Sequence, residues 1–191
     1  MKKIRLHTLG LLIGAVALAG CQTSDLPFVD EPIILPCPEY FVLEDAANIT
    51  QFRDGPGRDI TDIQVTARMG EIRLGCLTEV DNDTNSGIME LDVSPIALAE
   101  MGASNAEASA NLPYFVIITD PEKNILYREE LTLPISFEGN RTRLVITAAP
   151  TTLELPITPE IRSKYYRVYS GFVLTPEELE FNRKRIRDRL Q

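Results

Sequence analysis

Between Ile63 and Cys76 apolar and polar side chains take turns. Ile63, Val65, Ala67 and Met69 are separated by Gln64, Thr66 and Arg68, and after Gly70-Glu71 the alternation resumes with Ile72, Leu74 and Cys76. A strand throws successive side chains to opposite faces, so period 2 is the mark of a half-buried strand, whereas a helix needs period 3.6. The change of phase at Gly70-Glu71 reads as a tight turn, which makes Ile63–Cys76 a hairpin. A chain built of such pieces must bury one face of each against another sheet.

The same pattern recurs along the sequence. Tyr40–Leu43 is a first strand, followed by the breaker cluster Asp54-Gly55-Pro56-Gly57-Arg58. Met89, Leu91 and Val93 alternate up to Pro95, and residues 99–111, rich in Ala, Ser and Asn, read as a flexible loop or short helix. Tyr114–Ile118 is a continuous apolar run that fits a central strand, and Asp120–Asn124 is a turn. Ile125–Tyr127 and Leu131–Phe137 alternate again, with Pro134 pointing to an edge or bulge. Arg143–Thr147, Leu153–Leu155 and Tyr165–Leu174 complete about eight short strands. The expected fold is all-β: an antiparallel, immunoglobulin-like β-sandwich of about seven or eight strands, with a single curled sheet or small barrel as the alternative.

The C-terminus changes character. Thr175-Pro176-Glu177-Glu178 carries the signals of a helix start, with Thr as N-cap, Pro at the first helical position and Glu three residues after the cap. The helix should run to about Leu190. Leu179, Ile186 and Leu190 share one face and Phe181 lies nearly opposite, so the apolar stripe is thin.

The N-terminus is of another kind. Lys2, Lys3 and Arg5 precede the apolar stretch Leu9–Leu18, which is too short to span a bilayer and reads as a targeting segment rather than as structure. It ends in Leu18-Ala19-Gly20-Cys21, which resembles the lipobox of bacterial lipoprotein precursors. That resemblance implies removal of residues 1–20 and lipidation of Cys21. Two or more acyl chains anchor a protein stably where one is marginal. Gln22 stands where, in relatives, an Asp favours inner-membrane retention, so the resemblance implies the outer membrane, facing the periplasm. The competing readings are a secretory signal cut after Ala19 and a retained anchor helix. Residues 21–36, with Pro27, Pro32 and Pro36, read as a tether, leaving residues 37–174 for the sandwich and 175–191 for the helix.

Assigning Cys21 to lipid leaves Cys37 and Cys76 as an even pair, expected to be disulfide-bonded in an oxidising compartment; two buried free thiols are the alternative. The chain carries net charge −9, and losing Lys2, Lys3 and Arg5 with residues 1–20 makes the mature chain −12. Such a balance argues against nucleic acid as a partner. Residues 183–191 stand apart. Arg183, Lys184, Arg185, Arg187 and Arg189 against Asp188 make this end net positive. They are candidates for binding an anionic partner: a protein of the envelope, lipid headgroups or lipopolysaccharide phosphates. The bland alternative is that they suit the helix dipole and pair with the chain's own acids. Just before the helix, Tyr166 and Val168 share one strand face and Tyr165 and Tyr169 the other; one pair joins the core, and the outward pair is a candidate interface anchor or a plain sheet-rim aromatic.

Catalytic chemistry has little to work with. The single His is His7, inside the targeting segment, so a Ser-His-Asp or Cys-His nucleophile and a His-based zinc site are not expected in the mature chain. No catalytic residue, metal ligand or cofactor is assigned. Two carboxylate pairs, Asp59 with Asp62 and Glu44 with Asp45, would be the candidates for acid/base cleavage or binding of a cell-wall glycan. Asp81-Asn82-Asp83-Thr84-Asn85 offers oxygens at alternate positions as calcium loops do, but Ser86 stands where an EF-hand loop wants Gly, so a polar turn is the plainer reading. The Asn-x-Thr sequences at Asn48, Asn82 and Asn140 read as incidental. Gly75-Cys76, Leu112–Phe115 and Gly171–Glu178 resemble a group of α-proteobacterial lipoproteins, a resemblance that implies no activity. The function expected is therefore a lipid-anchored, non-enzymatic binding or assembly module. A carboxylate-dependent glycan enzyme or glycan binder and a calcium-dependent module are the alternatives.

Overall fold

The computed structural model describes residues 35–189; the targeting segment, Cys21, most of the tether and Leu190 lie outside the described residues. Nine strands form two packed sheets, an all-β sandwich. One sheet holds β1 (Glu39–Val42), β9 (Arg167–Phe172), β5 (Ser109–Thr119) and β6 (Ile125–Ser136), in that order. The other runs β2 (Asn48–Phe52), β3 (Ile63–Asp81), β4 (Ser86–Met101) and β7 (Arg143–Thr147), with β8 (Thr151–Ile157) also on β4. Helix α1 (Pro176–Arg189) follows β9.

The inward faces follow the alternation. Val65, Ala67 and Met69 of β3, Met89, Leu91 and Val93 of β4, Leu112, Tyr114, Val116 and Ile118 of β5, and Val168 and Phe172 of β9 are all buried in one core. Burying such side chains contributes about 1.5–3 kcal/mol each for the larger ones, which is what holds the two sheets face to face.

The hairpin expected at Gly70-Glu71 is not there. β3 runs unbroken from Ile63 to Asp81 against β4, and its register slips between Met69 and Glu71. Gly70 is the extra residue of a β-bulge. The bulge moves the inward set from Val65, Ala67 and Met69 to Ile72, while β4 keeps one phase through Ala97 and Ala99. A bulge and a turn leave the same one-residue phase break in a sequence. The true turn lies farther on, between Asp81 and Ser86, where Asn85 takes φ 53°.

Pro95 does not end its strand either. β4 continues through it because its outer edge changes partner there: β8 pairs with Gly87–Val93 and β7 with Ile96–Glu100. Ala148 N–H donates to the Pro95 carbonyl at 2.9 Å. In an extended residue N and O point to the same side, so the missing N–H of Pro95 faces this seam and breaks no ladder bond. Pro134 lies on β6, an edge strand, as its chemistry requires.

Two further differences concern sheet order. β1 pairs in parallel with β9, Glu39 opposite Arg167 and Val42 opposite Ser170, so the sandwich is not purely antiparallel. Only the tertiary fold can decide this, because β1 is the first strand and β9 the last. Residues 99–111 do not form a helix: they divide among the end of β4, a braced loop and the start of β5.

Candidate functional site

The basic helix starts as its sequence requires. Glu178 Oε2 accepts from the Thr175 N–H at 2.8 Å and Thr175 Oγ1 accepts from the Glu178 N–H at 3.3 Å, a reciprocal capping box. Its attachment to the sandwich is mainly polar. Asn182, 5% exposed, donates its side-chain amide to the carbonyls of Asp45 (3.0 Å) and Asn48 (2.8 Å). Arg183 Nε donates to Asp45 Oδ2 at 2.8 Å. Leu179 and Ile186 are half-buried. The dock is the 3-10 turn Glu44–Ala46, where the chain crosses from β1 to β2. Gly171 of β9 lets that turn lie close: a Cβ there would come within 2.8 Å of Ala46 Cβ and 3.0 Å of Phe115 Cζ.

The five candidate cations therefore divide. Arg183 is spent on Asp45, and Arg187 reaches back to Glu180 at 2.8 Å, holding the Glu180 carboxyl below its usual range. Lys184 is exposed, Arg185 is half-buried, and Arg189 ends the helix. Beside them Phe181 is 60% exposed. One turn separates Phe181 from Lys184 and Arg185, so an aromatic ring and positive charge share a helix surface.

Three of these four carboxylates, Asp59, Asp62 and Asp45, hold structure. Asp59 caps the 3-10 turn Ile60–Asp62, accepting from the Ile60 N–H at 2.6 Å. Asp62, 5% exposed, accepts from the Asp59 N–H at 3.1 Å and pairs with Arg53 at 2.5 Å. Its backbone carbonyl receives Arg53 N–H and Ser104 Oγ. Glu44 is exposed and Asp45 holds the helix. Neither pair lines the cleft described below.

The polar loop Asp81–Gly87 is a hairpin turn. Asp81 Oδ1 accepts from the N–H groups of Asp83 (3.0 Å) and Thr84 (2.8 Å) and from Thr84 Oγ1 (2.9 Å). These bonds favour the charged form and keep Asp81 below its usual range, the Thr84 backbone contributing most. Asp120 does the same for the β5–β6 turn, lowered chiefly by the side-chain amide of Asn124 at 2.8 Å. Among the described residues no group of three or more His, Cys, Asp or Glu is placed to hold a metal.

Cys37 and Cys76 are bonded, with Cα atoms 5.7 Å apart. The bridge joins the residue just ahead of β1 to the middle of β3, and so ties one sheet to the other where the chain enters the sandwich. The three tyrosines separate. Tyr166 is buried and its hydroxyl donates to the Pro156 carbonyl at 2.5 Å. Tyr169 faces outward and stacks on Phe41 at 5.5 Å. Tyr165 lies in the 3-10 turn Ser163–Tyr165 under Lys164 rather than on the strand.

One feature left no signal in the sequence. At the end of the sandwich where β2 and β3 meet the start of β5, a cleft of about 330 Å³ opens beside the β4–β5 loop. It is lined by the amides of Gln51, Gln64, Asn105 and Asn111 and the hydroxyls of Ser104 and Ser109. These residues are scattered over sixty positions, in three strands and the β4–β5 loop, so no motif announces them.

No protein-family description matches this chain, and no curated protein matches it. Among solved structures it is similar to the Streptococcus agalactiae AgI/II polypeptide BspA variable (V) domain, at 11% identity. The match covers 68% of this chain and 73% of that one, with a TM-score of 0.17, a value that carries no structural or functional argument.

Proposed function

We propose that this chain is a lipid-anchored lipoprotein of the cell envelope, held through Cys21 at the outer membrane and facing the periplasm, where it works as a non-enzymatic binding or assembly module. The observation that carries the reading is the Cys37–Cys76 bridge. Disulfides persist in oxidising compartments and are rare in the cytosol. This one stands where a tether running from Cys21 to Pro36 would meet the sandwich. A pull on the tether is thereby passed to β3 of the far sheet and does not peel β1, four residues long, from its edge.

The parallel pairing of β1 with β9 separates the chain's entry into the sandwich from the helix. The chain enters β1 beside Arg167 and leaves β9 at Phe172 for α1, so the start of β1 and the start of the helix lie at opposite ends of that strand pair. Phe181 and Lys184 suit an acidic protein surface: an exposed aromatic anchor with a cation one turn away. Arg183 contributes by holding the helix to Asp45 and not by reaching the partner.

Growth with an alkyne fatty acid tests the anchor. Label should appear in the wild-type chain and vanish in Cys21→Ser, with the protein released from the membrane fraction; equal labelling of both defeats the reading. Photo-crosslinking from position 181 tests the helix: a protein adduct there, lost in Lys184→Glu, is the expected result.

The second reading, a cell-wall glycan binder, draws on a different observation, the amide-lined cleft.

A further inference from the structure

We infer that the cleft between the β4–β5 loop and the ends of β2, β3 and β5 binds an uncharged saccharide. The inference deepens the glycan-binding reading, which draws on the same cleft, by naming the ligand class, and it is independent of the lipid anchor.

The lining sets the ligand class. A side-chain amide presents two donor hydrogens and an acceptor oxygen on neighbouring atoms, and a hydroxyl gives and receives. Gln51, Gln64, Asn105, Asn111, Ser104 and Ser109 therefore offer paired donors and acceptors with no net charge. Neighbouring sugar hydroxyls ask for that mixture. An anion would call for Arg or Lys, and none lines the cleft; a cation would call for several carboxylates, and only Glu107 is present, exposed at the rim. An apolar ligand would leave these amides buried without partners, at about 1–3 kcal/mol each.

The walls are held in place without using the groups that matter most. Gln51 Nε2 donates to the Asn111 carbonyl at 3.0 Å and so bridges the two sheets across the floor. The loop is tied to the start of β3 by Gly102 N–H to the Gln64 carbonyl (2.8 Å), Ser104 N–H to the Ile63 carbonyl (3.0 Å) and Ser104 Oγ to the Asp62 carbonyl (2.8 Å). Asn105 closes it by donating to the Ser109 carbonyl at 3.0 Å. Among the described residues, the side-chain amides of Gln64 and Asn111 and the hydroxyl of Ser109 form no such brace and stay available. A rigid wall with free polar groups loses little conformational entropy when a ligand arrives. The volume, about 330 Å³, lies at the small end of ligand sites and suits one or two sugar rings.

The test uses the full chain in detergent. It is screened on an array of neutral and acidic glycans and then titrated with the neutral oligosaccharide that binds best, with amide chemical shifts as the readout. Neutral glycans should bind, with shifts at Gln64, Asn105 and Asn111. Gln64→Ala and Asn111→Ala should each weaken binding about tenfold, as loss of one or two hydrogen bonds does. Their melting temperatures should stay at the wild-type value, because neither side chain braces the fold. Neutral glycan binding that these variants leave unchanged, with shifts elsewhere, keeps the glycan-binding reading and overturns the cleft assignment. No glycan binding, or shifts at these residues only with an extended peptide, overturns both.

Discussion

Arg183 holds Asp45, 138 residues earlier in the chain, through a 2.8 Å contact from Nε to Oδ2. A residue read as partner-binding and a residue read as a candidate catalytic acid thus satisfy each other. Both side chains are about half exposed, 48% and 45%. The pair is therefore worth at most about 1 kcal/mol and is screened by salt. Asn182, beside it, is buried and serves two backbone carbonyls. Asp45→Ala should lower stability by under about 1 kcal/mol, with the difference shrinking at high salt. Asn182→Ala should cost about 1–3 kcal/mol at any salt, because it strands two carbonyls. Denaturant melts at low and high salt, with amide exchange in α1, separate the two effects.

The disulfide closes a loop of 39 residues. In the chain-entropy account a loop of that length contributes about 4 kcal/mol by restricting the unfolded chain. Cys37→Ala/Cys76→Ala should lose about that amount in guanidinium unfolding. The wild type in reductant should match the double variant, and a reductant-insensitive wild type would contradict the assignment.

Gly70 distinguishes a bulge from a turn. It does not adopt positive φ, and a Cβ built on it meets nothing within 4 Å. Gly70→Ala should shift stability by less than about 1 kcal/mol, whereas alanine at a left-handed turn glycine would be strained. Deleting Gly70 should leave a cooperatively folding sandwich, because Gly70 is the residue that β4 does not pair. The deletion joins Met69 to Glu71 in plain alternation, with Met69 and Ile72 inward and Glu71 outward, whereas the loss of a turn residue would break the pairing. Far-UV circular dichroism melts report both.

Acid should loosen the turns before the core. Asp81 and Asp120 are held below the ordinary carboxyl value by turn hydrogen bonds. A lowered folded pKa means the contribution is complete above the unfolded value of about 4 and fades as pH falls through the folded one. The protection factors of the Thr84 and Asn124 amides, exchange rates divided out for their intrinsic pH dependence, should be steady at neutral pH and fall below that range, and Asp81→Asn should remove the dependence at Thr84. Alkali acts in the opposite direction: burial raises Tyr114 and Tyr166, so their contribution holds below about pH 10 and is lost as pH climbs through their raised values.

The strands were legible because their inward residues repeat every second position, as Tyr114, Val116 and Ile118 do against the alternate positions of β5. The capping box was legible because Thr175 and Glu178 are local partners. The bulge was not, since Gly70-Glu71 breaks phase as a turn would. Nor was the amide cleft, whose residues become neighbours only when β2 of one sheet meets β5 of the other.

By itself the sequence determined the all-β character, the helix start, the pairing of Cys37 with Cys76 and the acidic balance of the chain. Each is written in adjacent residues, in a two-residue period or in a count. The tertiary structure alone decided that β3 is one strand, that β1 lies parallel to β9, that Asp45 and Asp62 are structural, and that four amides converge at one end. These depend on register and on contacts between distant segments, and local propensity carries no record of which segment a strand will meet.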